Sequence, residues 1–239
     1  MRWKSSGIPV LLMVLLLAGC LKQEDKTGTG PRARLLLVNA ALDADKINLV
    51  LDGSPVAAED LPFGSAGELD GNGYIPVRPG IRTIGWKVGE QVYTDNKFLP
   101  WNANAYYTVL VFDTARNGFG SWTIIQDKPE TTDTSARIRF INCVAGPDSL
   151  SVWLISPEDT LVVASKRAYL ERTGITATDF SVNVVPGNWR YELLDRNNQV
   201  LDGAAFPVVA GSLYSFIGIG ETGSTGEKRP RLLPILQKK

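Results

Sequence analysis

The sequence predicts an all-β protein with two similar halves, and three observations support this prediction. Apolar residues alternate with other residues in short runs such as Ile47, Leu49 and Leu51, which is the period of a half-buried β-strand. Turn-forming pairs such as Asp52-Gly53 separate these runs, and such pairs are typical of tight hairpins. The same order of short motifs also occurs twice along the chain. Because helical periodicity is missing, we expect sheets throughout.

The repeat relates a segment that begins near residue 34 to one that begins near residue 137. Both copies start with an arginine, an apolar run and an asparagine, and both later have a Pro-Gly turn and a tyrosine at the head of a strand. The matched residues are Arg34 and Arg137, Asn39 and Asn142, Leu49 and Val152, Pro79-Gly80 and Pro186-Gly187, and Tyr107 and Tyr214. Agreement in the same order across both halves indicates an internal duplication.

Each copy has the pattern of an immunoglobulin-like β-sandwich, which is about seven short strands in roughly 100 residues. We therefore predict two tandem sandwich domains, at residues 33–127 and 136–239, joined by a polar linker at 128–135. Strands are expected at 81–88, 92–98, 106–112 and 122–126 in the first copy, and at 161–163, 180–184, 189–194, 214–219 and 232–236 in the second. A single continuous barrel is the alternative, because the linker is short.

Residues 1–19 are typical of a bacterial export signal. Arg2 and Lys4 give a positive start, and the apolar run at 8–18 is shorter than the roughly 20 residues that a membrane-spanning helix needs. The segment from Leu17 to Cys20 resembles the lipobox of bacterial lipoproteins. We therefore expect cleavage before Cys20, lipidation of that cysteine and membrane attachment through the lipid. An ordinary secretory signal with a nearby cysteine is the alternative.

The residues after the cysteine predict where the protein is attached. Glu24 and Asp25 lie close to Cys20 and resemble the surface-export signal of Bacteroidetes lipoproteins. We therefore expect a location in the cell envelope, at the outer membrane, with exposure on the cell surface as a further expectation. The whole segment at 20–32 is rich in charged residues, Gly and Thr, and is also predicted to be a flexible tether.

The composition excludes several classes of function. The chain has 25 basic and 25 acidic residues, so it lacks the basic excess expected of a nucleic-acid-binding protein. It has no histidine, which excludes Ser-His triads and histidine-dependent zinc sites. Once Cys20 is lipidated, Cys143 is the remaining thiol, and its apolar neighbours predict a buried, inert side chain. We expect no catalytic set, metal or cofactor, although carboxylate, Ser-Lys and oxygen-ligand chemistry stay open.

The repeated motifs resemble the domain of unknown function 4397 family. The resemblance is carried by the run from Ala33-Arg34 to Val38-Asn39, the Pro79-Gly80 turn and the Tyr107-Thr108 strand, and it covers most of the chain after the tether, twice. The second copy departs from the first at Cys143 and Ser215 and in the loop at 157–178. The resemblance implies β-sandwich domains on exported or cell-surface proteins, and it supplies no catalytic residues.

Two pairs of repeated residues have structural interpretations. Tyr107 and Tyr214 resemble the tyrosine corner of sandwich folds, in which the hydroxyl ties a loop to a strand. Arg34 and Arg137 are expected on edge strands facing solvent, where charged side chains protect an open edge.

Other motifs are weaker candidates for a site. Asp70 and Asn72 have the spacing that opens a calcium loop, but Ile75 and Ile81 stand where that loop needs Gly and Glu, so we expect a hairpin turn at Asn72-Gly73. The glycine-rich segment at 220–226 is predicted to be a flexible loop rather than a phosphate site. Trp101, in a predicted loop, is the candidate ligand contact, although packing is the favoured role for the tryptophans as a set.

These observations favour a noncatalytic binding or adhesion module of the cell envelope whose ligand is a glycan or an envelope protein. One alternative is a structural envelope component that assembles through β edges. A carboxylate-based hydrolase is the third interpretation, since paired carboxylates are defined by the fold rather than by spacing in the sequence.

The lipobox interpretation predicts that Cys20→Ala abolishes lipid labelling and releases the protein from membranes, because one residue carries all the acyl chains. Metabolic labelling with a fatty acid and membrane fractionation would measure this. Unchanged membrane retention of the variant would refute the interpretation.

Overall fold

The computed structural model describes residues 30–67, 74–116, 122–129, 134–146, 149–171 and 179–238. Pro31–Lys239 forms one compact unit. The predicted export signal, Cys20 and the Asn72-Gly73 turn lie outside the described residues. Within the described residues, no helix is long and apolar enough to cross a membrane.

The prediction of an all-β protein is confirmed, since the described residues form strands and one short 3-10 turn at Gly226–Lys228. The first half contains β1 (Ala33–Ala41), β2 (Lys46–Leu51), β3 (Ser54–Pro55), β4 (Leu61–Pro62), β5 (Ser65–Ala66), β6 (Ile75–Val77), β7 (Gly80–Val88), β8 (Gln91–Trp101), β9 (Tyr106–Asp113) and β10 (Trp122–Asp127). The second half contains β11 (Ala136–Asn142), β12 (Leu150–Ile155), β13 (Thr160–Arg167), β14 (Val182–Val184), β15 (Gly187–Leu194), β16 (Val200–Val208), β17 (Leu213–Ile219) and β18 (Arg231–Lys238).

Each half has two sheets, and the pairing scheme of the first half recurs in the second. The first outer sheet has the order β3-β2-β7-β8, and the first inner sheet has β10-β9-β1-β5, with β6 also on β1. The second inner sheet has the order β14-β11-β17-β18, and the second outer sheet has β13-β12-β15-β16. In both inner sheets the first strand of the half pairs in parallel with a late strand, β1 with β9 and β11 with β17.

Three hydrophobic cores lie between the sheets, which therefore form layers. The first core joins β1 and β9 to β2 and β7, and the second joins β11 and β17 to β12 and β15. A third core joins the two inner sheets, with Leu36, Val38 and Leu110 on one side and Ile141 and Ile217 on the other. We call this third cluster the shared core.

The inner strands are buried on both faces, and their sequences show why. In β1, Leu35 and Leu37 point into the first core, whereas Leu36 and Val38 point into the shared core. A strand with two buried faces needs a nearly continuous apolar run, and β1 has the sequence ARLLLVNAA. The outer strand β2 fits the predicted alternation, since Ile47, Leu49 and Leu51 all belong to the first core.

The edge-strand prediction for the two repeated arginines is wrong. Arg34 lies on β1, which has β9 on one side and β6 on the other, and its guanidinium lies 5.2 Å from the centre of the Tyr106 ring. Arg137 lies on β11, between β14 and β17. The alternation of side chains did not reveal this, because the parallel partner strand comes from far along the chain.

The immunoglobulin-like classification of the two halves and the domain boundaries stay predictions.

Candidate functional site

The repeated tyrosines tie loops to strands, as predicted. The hydroxyl of Tyr107 accepts a hydrogen bond from the backbone N–H of Asn102 at 3.0 Å. The hydroxyl of Tyr214 accepts one from the backbone N–H of Val209 at 3.2 Å. Both bonds span the same distance along the chain, so the two tyrosines have the same structural role in the two halves.

The repeated asparagines are buried and also structural. Asn39 accepts a hydrogen bond on Oδ1 from the backbone N–H of Ala41 at 3.1 Å, and Asn142 accepts one from Val144 at 3.0 Å. Their side-chain amides donate to backbone carbonyls, Asn39 to Leu61 and Asn142 to a residue of β13. Each asparagine thus satisfies backbone groups where the first strand of its half ends.

Trp101 is not in a loop, so its predicted placement is corrected. It is the last residue of β8, its side chain is 2 % exposed, and its ring packs edge-on against Tyr107 with centroids 5.0 Å apart. A sugar-stacking platform needs an exposed ring face, which this side chain does not present. Trp101 belongs to the first core, because β8 continues past Pro100 and its last side chain points into that core.

Six buried polar side chains lie between the two inner sheets and form the polar cluster. They are Tyr74, Thr108 and Asp127 from the first half, and Arg139, Ser215 and Gln237 from the second. At the centre, Arg139 Nη1 lies 2.8 Å from Asp127 Oδ1, and the side chains of the two residues are 1 % and 0 % exposed. The ion pair therefore joins the two halves out of contact with water.

The carboxylate of Asp127 is surrounded by donors. Its Oδ2 accepts hydrogen bonds from the Tyr74 hydroxyl at 3.0 Å, from Thr108 Oγ1 at 2.7 Å and from Gln237 Nε2 at 3.2 Å. Two of these donors come from its own half, and Gln237 comes from the other. Such bonds replace the hydration that a buried carboxylate loses.

The guanidinium of Arg139 has partners on every side. Its Nε donates to Ser215 Oγ at 2.6 Å, and its Nη2 donates to Thr108 Oγ1 at 2.9 Å and to Gln237 Oε1 at 3.1 Å. Its carbon Cζ lies 4.4 Å from the centre of the Phe180 ring, over its face. All three nitrogens are therefore engaged, and the cluster is suited to hold two sheets together rather than to turn over a substrate.

Sequence reasoning missed the polar cluster. Asp127 is the last residue of the predicted first domain, and Arg139 lies inside the apolar run that follows Arg137. The available signal was a charged residue inside the run IRFIN, at the position where β1 has Leu36. A charge in a strand with two buried faces requires a buried partner.

The remaining predicted features have structural roles. Cys143 is 1 % exposed, so its predicted burial is confirmed, and it belongs to the shared core. No group of three or more potential metal ligands occurs among the described residues. Gly220 has a φ of 103°, and a Cβ at this position would overlap the Arg229 carbonyl. The segment at 220–226 is a loop that leads into the 3-10 turn at Gly226–Lys228, and its flexibility stays a prediction.

A surface cleft of about 380 Å³ lies between this loop and the turn after β15. It is lined by polar and apolar residues, including Asp195, Leu201, Thr222, Ser224 and Arg229. Asp195 Oδ1 accepts hydrogen bonds from the backbone N–H groups of Asn197 and Gln199, both at 2.8 Å. The acidic side chain of the cleft is thus used to close its own turn.

Two large apolar side chains stand out on the first outer sheet. Ile81 and Phe98 are each 72 % exposed. The β7–β8 register pairs Ile81 with Pro100 and Thr83 with Phe98, so the four side chains lie on one face, away from the first core. We call them the β7–β8 face. Among the residues that the structure describes, β8 is the last strand of its sheet and pairs with β7 on one side.

Comparison with known proteins places part of the chain in a family. The model of the family described as Domain of unknown function (DUF4397) matches residues 33–153. This match begins at β1 and ends within β12, so a second copy of the family domain stays a prediction. No curated protein matches the chain.

One solved structure that matches is from Bacteroides ovatus, for a protein provisionally named a cell adhesion protein. The identity is 10 %, the TM-score is 0.22, and the match covers 88 % of this chain and 96 % of that chain. A likeness at this TM-score carries no conclusion about the fold or function of this protein.

The buried ion pair predicts a specific pattern of stability. Asp127→Asn alone leaves the Arg139 guanidinium without a counter-ion and should lower the free energy of unfolding by about 3–5 kcal/mol. Arg139→Leu alone leaves the Asp127 carboxylate without a counter-ion and should lower the free energy of unfolding by a similar amount. The double variant should be more stable than either single variant, because no buried charge remains. Urea denaturation would measure all three. Glu90→Gln, at a fully exposed residue near Lys87, is the control and should leave stability unchanged.

Tyr74 predicts a loss of stability in alkali. Burial is the main cause that raises its pKa above the ordinary value, and the charge and hydrogen bond of Asp127 add to it. The folded state therefore keeps the Tyr74 proton at a pH near 10, where the unfolded chain releases it. The contribution of the buried hydroxyl to the free energy of unfolding is thus fully present below about pH 10 and falls as the pH rises further. Tyr74→Phe should show a shallower fall in the urea midpoint between about pH 9 and 11. An unchanged slope would contradict the assignment.

Proposed function

Since the chain belongs to the DUF4397 family, whose domain has no assigned function, we propose that it is a noncatalytic binding or adhesion module of the cell envelope. Cys20 anchors it to the membrane through lipid, at the outer membrane and with the folded unit on the cell surface. In this proposal the layered body presents a binding surface and performs no reaction. The partner is an envelope protein.

The β7–β8 face is the observation that carries the proposal. Ile81 and Phe98 are both 72 % exposed and lie on the same side of one sheet. Apolar area removed from water stabilises a complex by about 25 cal/mol per Å² before the costs of association. Neighbouring exposed apolar side chains on a folded protein are typical of an interaction surface.

The chemistry of this surface favours a protein over a glycan. Sugars are held by exposed aromatic rings together with hydrogen-bonding side chains. On this sheet Trp86 and Trp101 are buried, at 1 % and 2 % exposure, and the exposed Phe98 ring lies on a face shared with the apolar Ile81 and Pro100. Aliphatic and phenyl groups such as Ile81 and Phe98 instead match apolar side chains of a protein. The edge strand β8 also offers backbone groups to an added strand. A partner segment that pairs with β8 would cover both features at once.

The open edge of β8 also supports a second candidate function, a structural component that assembles through β edges. In that case the partner is another copy of this chain or a neighbouring envelope protein that adds a strand to the sheet. The two functions differ in stoichiometry, since assembly through copies gives oligomers of the purified protein.

We expect Ile81→Ser with Phe98→Ser to weaken binding at least tenfold, or about 1.4 kcal/mol, because it removes the apolar face without altering a core. The measurement is biolayer interferometry of Pro31–Lys239 against a panel of purified envelope proteins and glycans. Val162→Ser is the matched control, since Val162 is 49 % exposed on the other outer sheet.

Three outcomes of this screen have distinct meanings. Binding of an envelope protein that is lost only in the double variant supports the proposal. Self-association of the purified protein that is lost in the same variant supports the assembly function. Binding of a glycan that is unaffected by the variant, or turnover that disappears when a carboxylate is mutated, refutes both.

A further inference from the structure

Both halves present the same positions of their inner sheets to the shared core. Leu36 lies beside Thr108 in the β1–β9 register, and Arg139 lies beside Ser215 in the β11–β17 register. The apolar contributions follow the same correspondence, with Val38 and Ile141, Ala40 and Cys143, Leu110 and Ile217, and Phe112 and Ile219 all in this core. The two halves therefore contact each other through equivalent surfaces of their inner sheets.

The last strands of the halves obey the same correspondence. Ile125 pairs with Thr108, and Ile235 pairs with Ser215. Two residues further on, the first half has Asp127 and the second half has Gln237, both buried. Asp127 pairs with Tyr106, whereas a bulge shifts the register at Gln237, so that Leu213 pairs with Lys238. The acid and the amide thus both enter the polar cluster from the last strand of their half, at places that differ by this bulge.

Asp127 and Arg139 are the charged members of the polar cluster, and each lies on one side of the contact. The first half contributes the anion Asp127 and has Leu36 where the second half has the cation Arg139. Apolar side chains at equivalent positions would let either inner sheet pack against a copy of itself. A contact between two first halves would bury two copies of Asp127 without a cation, and one between two second halves would bury two copies of Arg139 without an anion.

We propose that the Asp127–Arg139 ion pair selects the pairing of the first half with the second and prevents each half from pairing with its copy in another chain. Buried charges without partners are strongly unfavourable, so like pairing is opposed even where its apolar contacts fit. This is specificity by exclusion of the wrong partner. The partner excluded is a second copy of this chain.

The test is refolding of Pro31–Lys239 from urea over a range of protein concentrations, followed by light scattering on a sizing column. Wild type should refold as a monomer. The neutral variant Asp127→Asn with Arg139→Leu should give dimers or larger species whose fraction rises with concentration and exceeds that of wild type several-fold. Equal monomer yields for the two proteins at every concentration would overturn the proposal.

Ser215→Ala is the matched control. It removes hydrogen bonds to Arg139 and Gln237 but keeps both charges, so it should refold as a monomer despite lower stability. Dimers formed by this control to the same extent would show that weakened packing suffices, which also overturns the proposal. If the neutral variant is insoluble, Asp127→Asn with Arg139→Gln retains an amide opposite Thr108 and is held to the same criterion.

Relocating the arginine gives a positive test. Leu36→Arg with Arg139→Leu puts the cation and Asp127 on the same half, so two first halves from different chains can form two ion pairs. This variant should dimerise more strongly than the neutral variant. Association no stronger than that of the neutral variant would contradict a selective role for the charges.

Discussion

The contact between the two inner sheets is the constraint on which the rest of the structure depends. It buries Asp127 and Arg139 away from water, and two charges in such a place need each other and further hydrogen bonds in place of the hydration that they lose. The polar cluster supplies these replacements from both halves. An inner sheet without its partner would expose the apolar residues of the shared core to water, and covering it with an apolar surface would bury its charge without a counter-ion.

This contact leaves the outer sheets as the broad surfaces of the compact unit. Contacts at its rim add to the cluster, since Lys228 Nζ donates to the Leu42 carbonyl at 2.5 Å and the Arg231 guanidinium lies over the Phe63 ring. In the proposed function, a partner would meet the β7–β8 face on the same compact unit that holds both inner sheets.

Residues that repeat and residues that differ between the halves have separate tasks. Tyr107 and Tyr214, like Asn39 and Asn142, satisfy backbone groups within their own half, and each half needs the same bonds to form. Leu36 and Arg139 differ at equivalent positions of the inner sheets. These two residues lie in the contact between the halves. Identical inner sheets would not favour the pairing of a first half with a second half over the pairing of two copies of one half.

The sequence by itself determined most of the long strands, the duplicated order of motifs and the role of the tyrosines, because these depend on residues close together in the chain. It did not predict β16 (Val200–Val208) or the short strands β3 to β6. The period of Ile47, Leu49 and Leu51 already defines the core face of β2. Only the tertiary structure decided that Arg139 meets Asp127, that Trp101 is buried and that Arg34 lies on a central strand. Each of these depends on strands that are distant in the sequence, and alternation along one strand carries no information about which strand lies beside it.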